Sequence, residues 1–150
     1  MLPVGALRQC SDAHGRTRFT EAEQRTMMTL WCMMRSPLMI GGELTKNDAF
    51  TLSLLTNAAV LDIEKKSTCA HPLRTIENES LWLARRIDGD GCYIAFFNLS
   101  DKPRTMSVPL EVLEGDFTHT YELWTKKTEE LSNVLSAEVS SHDVKVFWAK

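Results

Sequence analysis

The sequence predicts an α+β chain in which helices come first and an antiparallel β-sandwich follows. Three observations carry that prediction. Between Thr20 and Pro37 apolar residues recur with the period of a helix. From about Thr68 onward the chain turns to short runs dense in aromatic and branched residues. Two of those runs flank the Asp-Gly-Asp-Gly stretch at 88–91, a strong hairpin signal.

The first element sits in "FTEAEQRTMMTLWCMMRSPLMIGGEL", residues 19–44, which hold five of the seven methionines. Thr20 and Glu23 have capping-box spacing, the hydroxyl taking one orphan helix N–H and the carboxylate reaching back for another. Met27, Leu30, Trp31 and Met34 then recur at i, i+3, i+4, i+7, which gives a helix over about 20–35. Met28 and Cys32 widen its apolar side, as expected of a helix pressed between two layers. Pro37 ends it, because the residue before a proline is pushed out of the helical region. "SPLMIGG" reads as a buried strand or an extended turn. "KNDAFTLSLLTN" reads as a second helix, about 47–57, with Asn47 as its cap and Phe50, Leu54 and Leu55 on one side. Asn57 can end that helix and cap a further turn through "AAVLDIEKK".

Residues 80–87, "SLWLARRI", and 91–100, "GCYIAFFNLS", are the hairpin strands. Met106, Val108 and Leu110 alternate with polar neighbours in 104–113, as in a half-buried strand. "HTYELWTKK" (119–127) and "DVKVFWAK" (143–150) bring the total to at least five strands, which suits a sandwich. The chain divides into a helical part, 1–67, and a β part, 68–150. No Pro/Gly/Ser-rich linker stands near residue 68, so the two parts are expected to pack on one another.

Composition narrows the function classes. A net charge of −3, with 17 basic against 20 acidic residues and no basic stripe, leaves no electrostatic footprint for nucleic acid. The longest apolar runs, such as 30–34, fall far short of the roughly 20 residues that span a bilayer. The opening residues "MLPVGALRQC" lack the regions of a signal peptide, while a signal upstream in a longer parent would be invisible here, which leaves localisation open. Cys10, Cys32, Cys69 and Cys92 are widely spaced and read as reduced structural thiols. His14, His71, His119 and His142 are equally scattered, so no metal site is expected.

The residues offer no visible active site. Asp88 and Asp90 begin like a calcium loop, but the glycine comes too early and the closing glutamate is missing, so they read as a solvated turn. Glu21 and Glu23 suit the first turn of a helix. Asn78-Glu79-Ser80 and Asn98-Leu99-Ser100 match the glycosylation sequon and read as ordinary hairpin residues. Trp82, Trp124 and Trp148 raise two readings, a sugar-stacking platform or core anchors of the sandwich; each lies in an apolar strand run, which favours the second.

The order of segments carries a resemblance. Glu23-Gln24, Leu30-Trp31, Ser36-Pro37-Leu38 and Leu54-Leu55-Thr56-Asn57 resemble the C-terminal portion of glycoside hydrolase family 27, the α-galactosidases. Trp82, Asn98-Leu99-Ser100 and Leu123-Trp124-Thr125 are similar to landmarks of that family's C-terminal sandwich. The resemblance implies helices left from a (β/α)8 barrel, with the chain beginning just after the eighth barrel strand and the methionine-rich helix as the last of the barrel. It implies a parent that cleaves terminal α-galactosides with retention, or α-N-acetylgalactosaminides or β-L-arabinopyranosides, and that needs no cofactor. It places both catalytic aspartates on earlier strands, so this chain carries no catalytic residue and is expected to be inactive alone. Only Met1 falls on a position resembling the substrate-pocket rim.

A barrel helix stripped of its strands should expose the Met27, Met28, Leu30, Trp31 and Met34 surface. The chain should then self-associate as a homo-oligomer, or fold its helices back onto the sandwich. Two rival readings stand beside this one: a stand-alone carbohydrate-binding or interaction module, and a split enzyme in which another chain supplies the first seven barrel units.

Overall fold

The computed structural model describes residues 1–7, 15–113 and 115–150. Cys10 and His14 lie outside the described residues. Three helices come first, α1 (Glu21–Met33), α2 (Ala49–Leu55) and α3 (Ala58–Lys66). Eight strands follow: β1 (Ser67–Ile76), β2 (Glu79–Arg86), β3 (Cys92–Asn98), β4 (Arg104–Pro109), β5 (His119–Glu122), β6 (Lys127–Glu130), β7 (Val134–Val139) and β8 (Val144–Ala149). Six of them form an antiparallel sheet in the order β1-β2-β3-β8-β5-β6, and β4 pairs with β7 in a two-stranded ribbon. The helix-then-sandwich architecture is as expected.

The large sheet is a middle layer. Tyr93, Ala95 and Phe97 of β3, with Val144 and Val146 of β8, face the helices and pack with Met28, Cys32, Met33, Leu54, Val60 and Ile63. The alternate residues Cys92, Ile94 and Phe96, with Phe147, face the ribbon and pack with Met106, Val108, Leu135 and Val139. Successive side chains of a strand point to opposite faces. All seven residues of β3 are buried because both of its faces are covered.

Thr20 and Glu23 form the capping box that their spacing predicts: Glu23 N donates to Thr20 Oγ1 at 3.2 Å and Thr20 N to Glu23 Oε2 at 2.7 Å. The buried face of α1 is rotated from the expected one. Gln24, Met28, Thr29, Cys32 and Met33 are buried, Met27, Leu30 and Trp31 are half-buried, and Met34 is 56% exposed. The polar pair can be buried because each finds a partner: Gln24 Nε2 donates to Phe19 O at 3.0 Å, and Trp124 Nε1 donates to Thr29 Oγ1 at 3.0 Å. The methionine-rich surface is therefore largely covered by the sheet and α3, and does not form the exposed association face expected of a bare barrel helix. Of the two outcomes foreseen, the helices fold back onto the sandwich.

The helix stops before Pro37. Arg35 takes a left-handed φ of 51°, and the bonds from Arg35 N to Cys32 O and from Ser36 N to Trp31 O close a Schellman motif. The cap of α2 is Asp48, which accepts from Thr51 N at 2.8 Å, and not Asn47. Asn57 does cap α3, accepting from Ala59 N at 3.1 Å, and its amide donates across to Leu123 O at 3.0 Å. α3 passes directly into β1 at Ser67, without a linker.

In the β part, "HTYELWTKK" is not one strand. Glu122 Oε2 accepts from Thr125 N at 2.6 Å and from Thr125 Oγ1 at 2.5 Å, and Lys126 has a φ of 60°, so residues 123–126 turn the chain from β5 into β6. The edge strand β6 reads Lys-Thr-Glu-Glu and is exposed throughout, which protects an open sheet edge from pairing with other chains.

Two polar joints lock the layers. Arg25 donates to both oxygens of Asp143, Nε to Oδ1 at 3.0 Å and Nη2 to Oδ2 at 2.8 Å, while Thr26 Oγ1 donates to His142 O at 2.9 Å. These bonds tie α1 to the β7–β8 turn. Asn98 is the second joint. It is fully buried; its amide group donates to Lys102 O, Val139 O and Ser140 O, and its oxygen accepts from Ser100 N and Ser100 Oγ. It is thus the seam between the end of β3 and the ribbon rather than an ordinary hairpin residue, whereas Asn78 is exposed in the β1–β2 turn.

Two variants test these joints. Asn98→Ala strands several backbone groups and should lower unfolding stability by about 2–4 kcal/mol. Asp143→Ala leaves a half-buried guanidinium unpaired and should cost about 2 kcal/mol, less than a fully buried pair because both partners keep some solvent contact. Urea unfolding followed by tryptophan fluorescence measures both, and a loss below about 0.5 kcal/mol would remove either residue from this role.

Candidate functional site

Leu2 pairs with Ile40 in a parallel bridge: Leu2 N donates to Met39 O at 2.6 Å and Gly41 N to Leu2 O at 2.9 Å. The helix α1 connects the two extended segments. The bridged segments at Leu2 and Ile40, with α1 between them, therefore make a β-α-β unit, and "SPLMIGG" is a strand position that follows the methionine-rich helix. Leu2 thus already lies in a strand pairing, and a further strand position follows α1. The close approach of the first segment explains the glycine pair. A Cβ on Gly41 would lie 3.2 Å from Leu2 O, and one on Gly42 would overlap Val4 O.

The loops that leave the C-terminal ends of these segments are tied together. Ala6 and Arg16 form an antiparallel bridge, Glu43 N donates to Ala6 O at 2.7 Å, and the Arg16 guanidinium pairs with Asp48. Hydrogen bonds from Thr51, and then the Arg16 charge, hold the Asp48 carboxyl down at about 2. Met1 stands beside Gly41 at this edge, 78% exposed. Met39, Ile40 and Leu44 are exposed along the same segments, which leaves an apolar edge open there.

The structure does not bring the scattered acids together. Glu21 and Glu23 stay in the first turn of α1, and the backbone N–H and hydroxyl of Thr20 hold the Glu23 carboxyl below its usual range. Asp88 accepts from Arg86 and from Asp90 N in the hairpin turn. Among the described residues no cluster of three His, Cys, Asp or Glu could hold a metal ion, and no helix is long and apolar enough to cross a membrane. Burial pushes the Cys32 and Cys92 thiols up to about 12, too high for a nucleophilic thiolate, while Cys69 is exposed.

The three tryptophans do not form a platform. Trp82 and Trp124 pack against the helix-side core, with indole N–H groups on Ser80 Oγ and Thr29 Oγ1. Trp148 lies under Arg86 at 4.6 Å and Lys150 at 4.7 Å, and donates to Asp90 O at 2.7 Å. The core-anchor reading fits this arrangement.

Residues 77–149 match the alpha galactosidase C-terminal beta sandwich domain. The whole chain superposes on a GH27 β-L-arabinopyranosidase from Geobacillus stearothermophilus with a TM-score of 0.91 and 36% identity, covering 100% of this chain and 36% of that one. An alpha-galactosidase of Coffea arabica is 24% identical over 139 residues, 89% of this chain and 36% of the relative. Alpha-galactosidase I from Mortierella vinacea shares the fold, with a TM-score of 0.81 at 18% identity over 94% of this chain and 37% of that one. The chain spans about a third of the length of the relatives it matches.

Asp48 supplies a pH-dependent prediction. Its folded value is depressed from the ordinary 3.8, so its contribution is present above about 4 and is lost as pH falls through about 2. Asp48→Ala should cost about 1 kcal/mol at neutral pH through the lost cap. The gap in Tm from the unsubstituted chain should narrow between pH 4 and 2; a gap that stays constant would show that the ionised carboxylate is not the stabilising species.

Proposed function

We propose that this chain is the C-terminal portion of a glycoside hydrolase family 27 enzyme, in which it completes the barrel and carries the stabilising sandwich of a retaining glycosidase. The observation that supports this reading is the β-α-β unit, whose open edge at Met1, Met39 and Ile40 is shaped to be continued by neighbouring barrel strands. In a (β/α)8 enzyme the chemistry sits at the C-terminal ends of the strands, the end where the Ala6–Arg16 bridge and the 41–48 loop lie.

A retaining mechanism requires a nucleophilic carboxylate and an acid/base carboxylate about 5 Å apart. Neither has a counterpart among the described residues of this site. Both come from strands outside this chain, which alone is inactive. Met1 contributes an apolar side chain to the rim of the substrate pocket. The glycone is a terminal α-galactoside, as the names of the curated relatives suggest. The β-L-arabinopyranosidase at 36% identity favours a second reading, in which that sugar is the glycone. The two rings share their stereochemistry and differ by one hydroxymethyl group, so the contact that chooses between them lies at that carbon.

The test is hydrolysis of p-nitrophenyl α-D-galactopyranoside and p-nitrophenyl β-L-arabinopyranoside, by the chain alone and by the chain joined to a polypeptide supplying the preceding barrel units. No turnover alone and turnover of one substrate in the joined protein are expected, with Met1→Ala raising KM several-fold by loss of an apolar contact with the sugar. Hydrolysis by the isolated chain would overturn the placement of the carboxylates. A folded joined protein inactive on both substrates would overturn the glycosidase reading.

A further inference from the structure

The chain treats its strand edges in two ways. The outer strands of the large sheet are guarded: β6 reads Lys-Thr-Glu-Glu, and β1 carries Pro72 and two irregular steps in its register, between Thr68 and His71 and between Pro72 and Arg74. The segment through Ile40 has no such protection. "LMIGG", residues 38–42, contains neither a charge nor a proline, yet Met39 is 60% and Ile40 37% exposed. Its backbone is only half used. Leu2 is held by Met39 O and Gly41 N, so the N–H and C=O of Ile40 point to the opposite side, where they meet no partner among the described residues. On the far side of Leu2 the carbonyls of Met1 and Pro3 stand in the same way. A row of unpaired backbone groups is a template for another strand.

The direction of the pairing decides what fits. A parallel pair is continued by further parallel strands, each brought back by a crossover helix. The two open edges lie on opposite sides of one strand pair, so the occupant must reach both. A second copy of this chain, pairing one edge with one edge, would leave the outer two exposed. A run of β-α units that curls round from one edge to the other closes both, and an eight-stranded barrel needs six such units beyond the two strands here. This chain spans about a third of the length of the relatives it matches, which leaves room for those units in the rest.

The body that offers this edge is built without the occupant. Leu2 and Val4 are buried in the same core as Met28, Cys32, Leu54, Tyr93 and Val146, so the strand pair is anchored to the helices and the sheet from within. We infer that the edge is a docking surface that binds the six remaining β-α units as a separate polypeptide, the barrel assembling from two chains with no covalent joint between them. The inference rests on the reading that this chain completes a family 27 barrel, and adds that completion works in trans.

The experiment co-refolds this chain with the polypeptide of preceding barrel units used in the joined protein, now supplied separately, and measures the complex by sedimentation and by hydrogen exchange. A 1:1 complex is expected, with the Ile40 amide gaining protection and with hydrolysis of the glycoside that the joined protein turns over. Ile40→Pro removes the backbone donor and should weaken the complex by about tenfold or more. Met39→Lys changes an exposed side chain, leaves the core intact and should weaken it as well, because docking would bury the charge. No complex between components whose joined form folds would overturn the inference, as would a homodimer of this chain formed through the Ile40 edge, or a complex that neither substitution weakens. A complex that forms but is inactive on both substrates would overturn the glycosidase reading and leave the docking in place, so the two failures are distinguishable.

Discussion

The molecule depends on one sheet that is apolar on both faces. Every residue of β3 is buried, with Tyr93, Ala95 and Phe97 turned to the helices and Ile94 and Phe96 to the ribbon. A strand of that kind cannot serve as the outer wall of a two-layer domain, because one of its faces would stand in water at roughly 25 cal/mol for each Å² of apolar surface. The ribbon β4–β7 covers one face and α1 with α3 the other. The helical part and the sandwich therefore share a core. The direct passage from α3 into β1 at Ser67 follows from the same constraint, since a flexible linker would serve no purpose between parts that must remain in contact.

Apolar burial does not choose an orientation, and the polar joints supply that choice. Arg25 meets Asp143 through two parallel bonds, and Thr26 reaches His142 O one residue earlier in the same turn. The fork geometry of a guanidinium fixes angle as well as distance. At the far side of the interface, Asn57 caps α3 with its oxygen and holds Leu123 O with its amide, while Trp124 donates to Thr29. These bonds leave little freedom for the helices to slide across the sheet. Asn98 does the same work between the sheet and its ribbon.

What could be read from the sequence was whatever local chemistry decides. The Thr20–Glu23 capping box, the turn at 88–91 and the alternation of Met106 and Val108 depend on neighbours a few residues away, and each has its expected form. The misses have a common cause in distant partners. The periodicity of Met27, Leu30, Trp31 and Met34 was genuine, but a helix wedged between α3 and β8 is buried where those neighbours meet, which moved the centre towards Met28 and Cys32. Asn47 and Asp48 are equivalent cap candidates by propensity, and the ion pair with Arg16, 32 residues away, accompanies the second. Glu122 breaks a run that reads as strand by binding the N–H of Thr125. The parallel pairing of Leu2 with Ile40 left no local sign, so the residues alone could not show a β-α-β unit. The family resemblance set the chain's start after a barrel strand, and the Leu2–Ile40 bridge adds a strand pairing at Leu2 itself. The burial of Gln24 was invisible because a glutamine in the first turn of a helix looks like a solvated residue.

Under the proposed function, the same contacts explain how a sandwich without an active site would serve a barrel that has one. The bonds from the β7–β8 turn fall on Arg25 and Thr26, within two turns of the N-terminus of α1. In a β-α-β unit that end of the helix lies beside the strand ends where barrel chemistry occurs. The next residues toward the rim are Gln24, the Thr20 cap and the segment 15–17, which is bridged to Ala6 and paired with Asp48. A continuous path of bonded groups thus runs from the buried sheet to the loops bordering Met1. A site whose carboxylates must be held to a fraction of an ångström gains from walls that do not move. The position of α1 against the sheet would fix one of those walls, a sufficient physical reason for the helical and β parts to be built as one body.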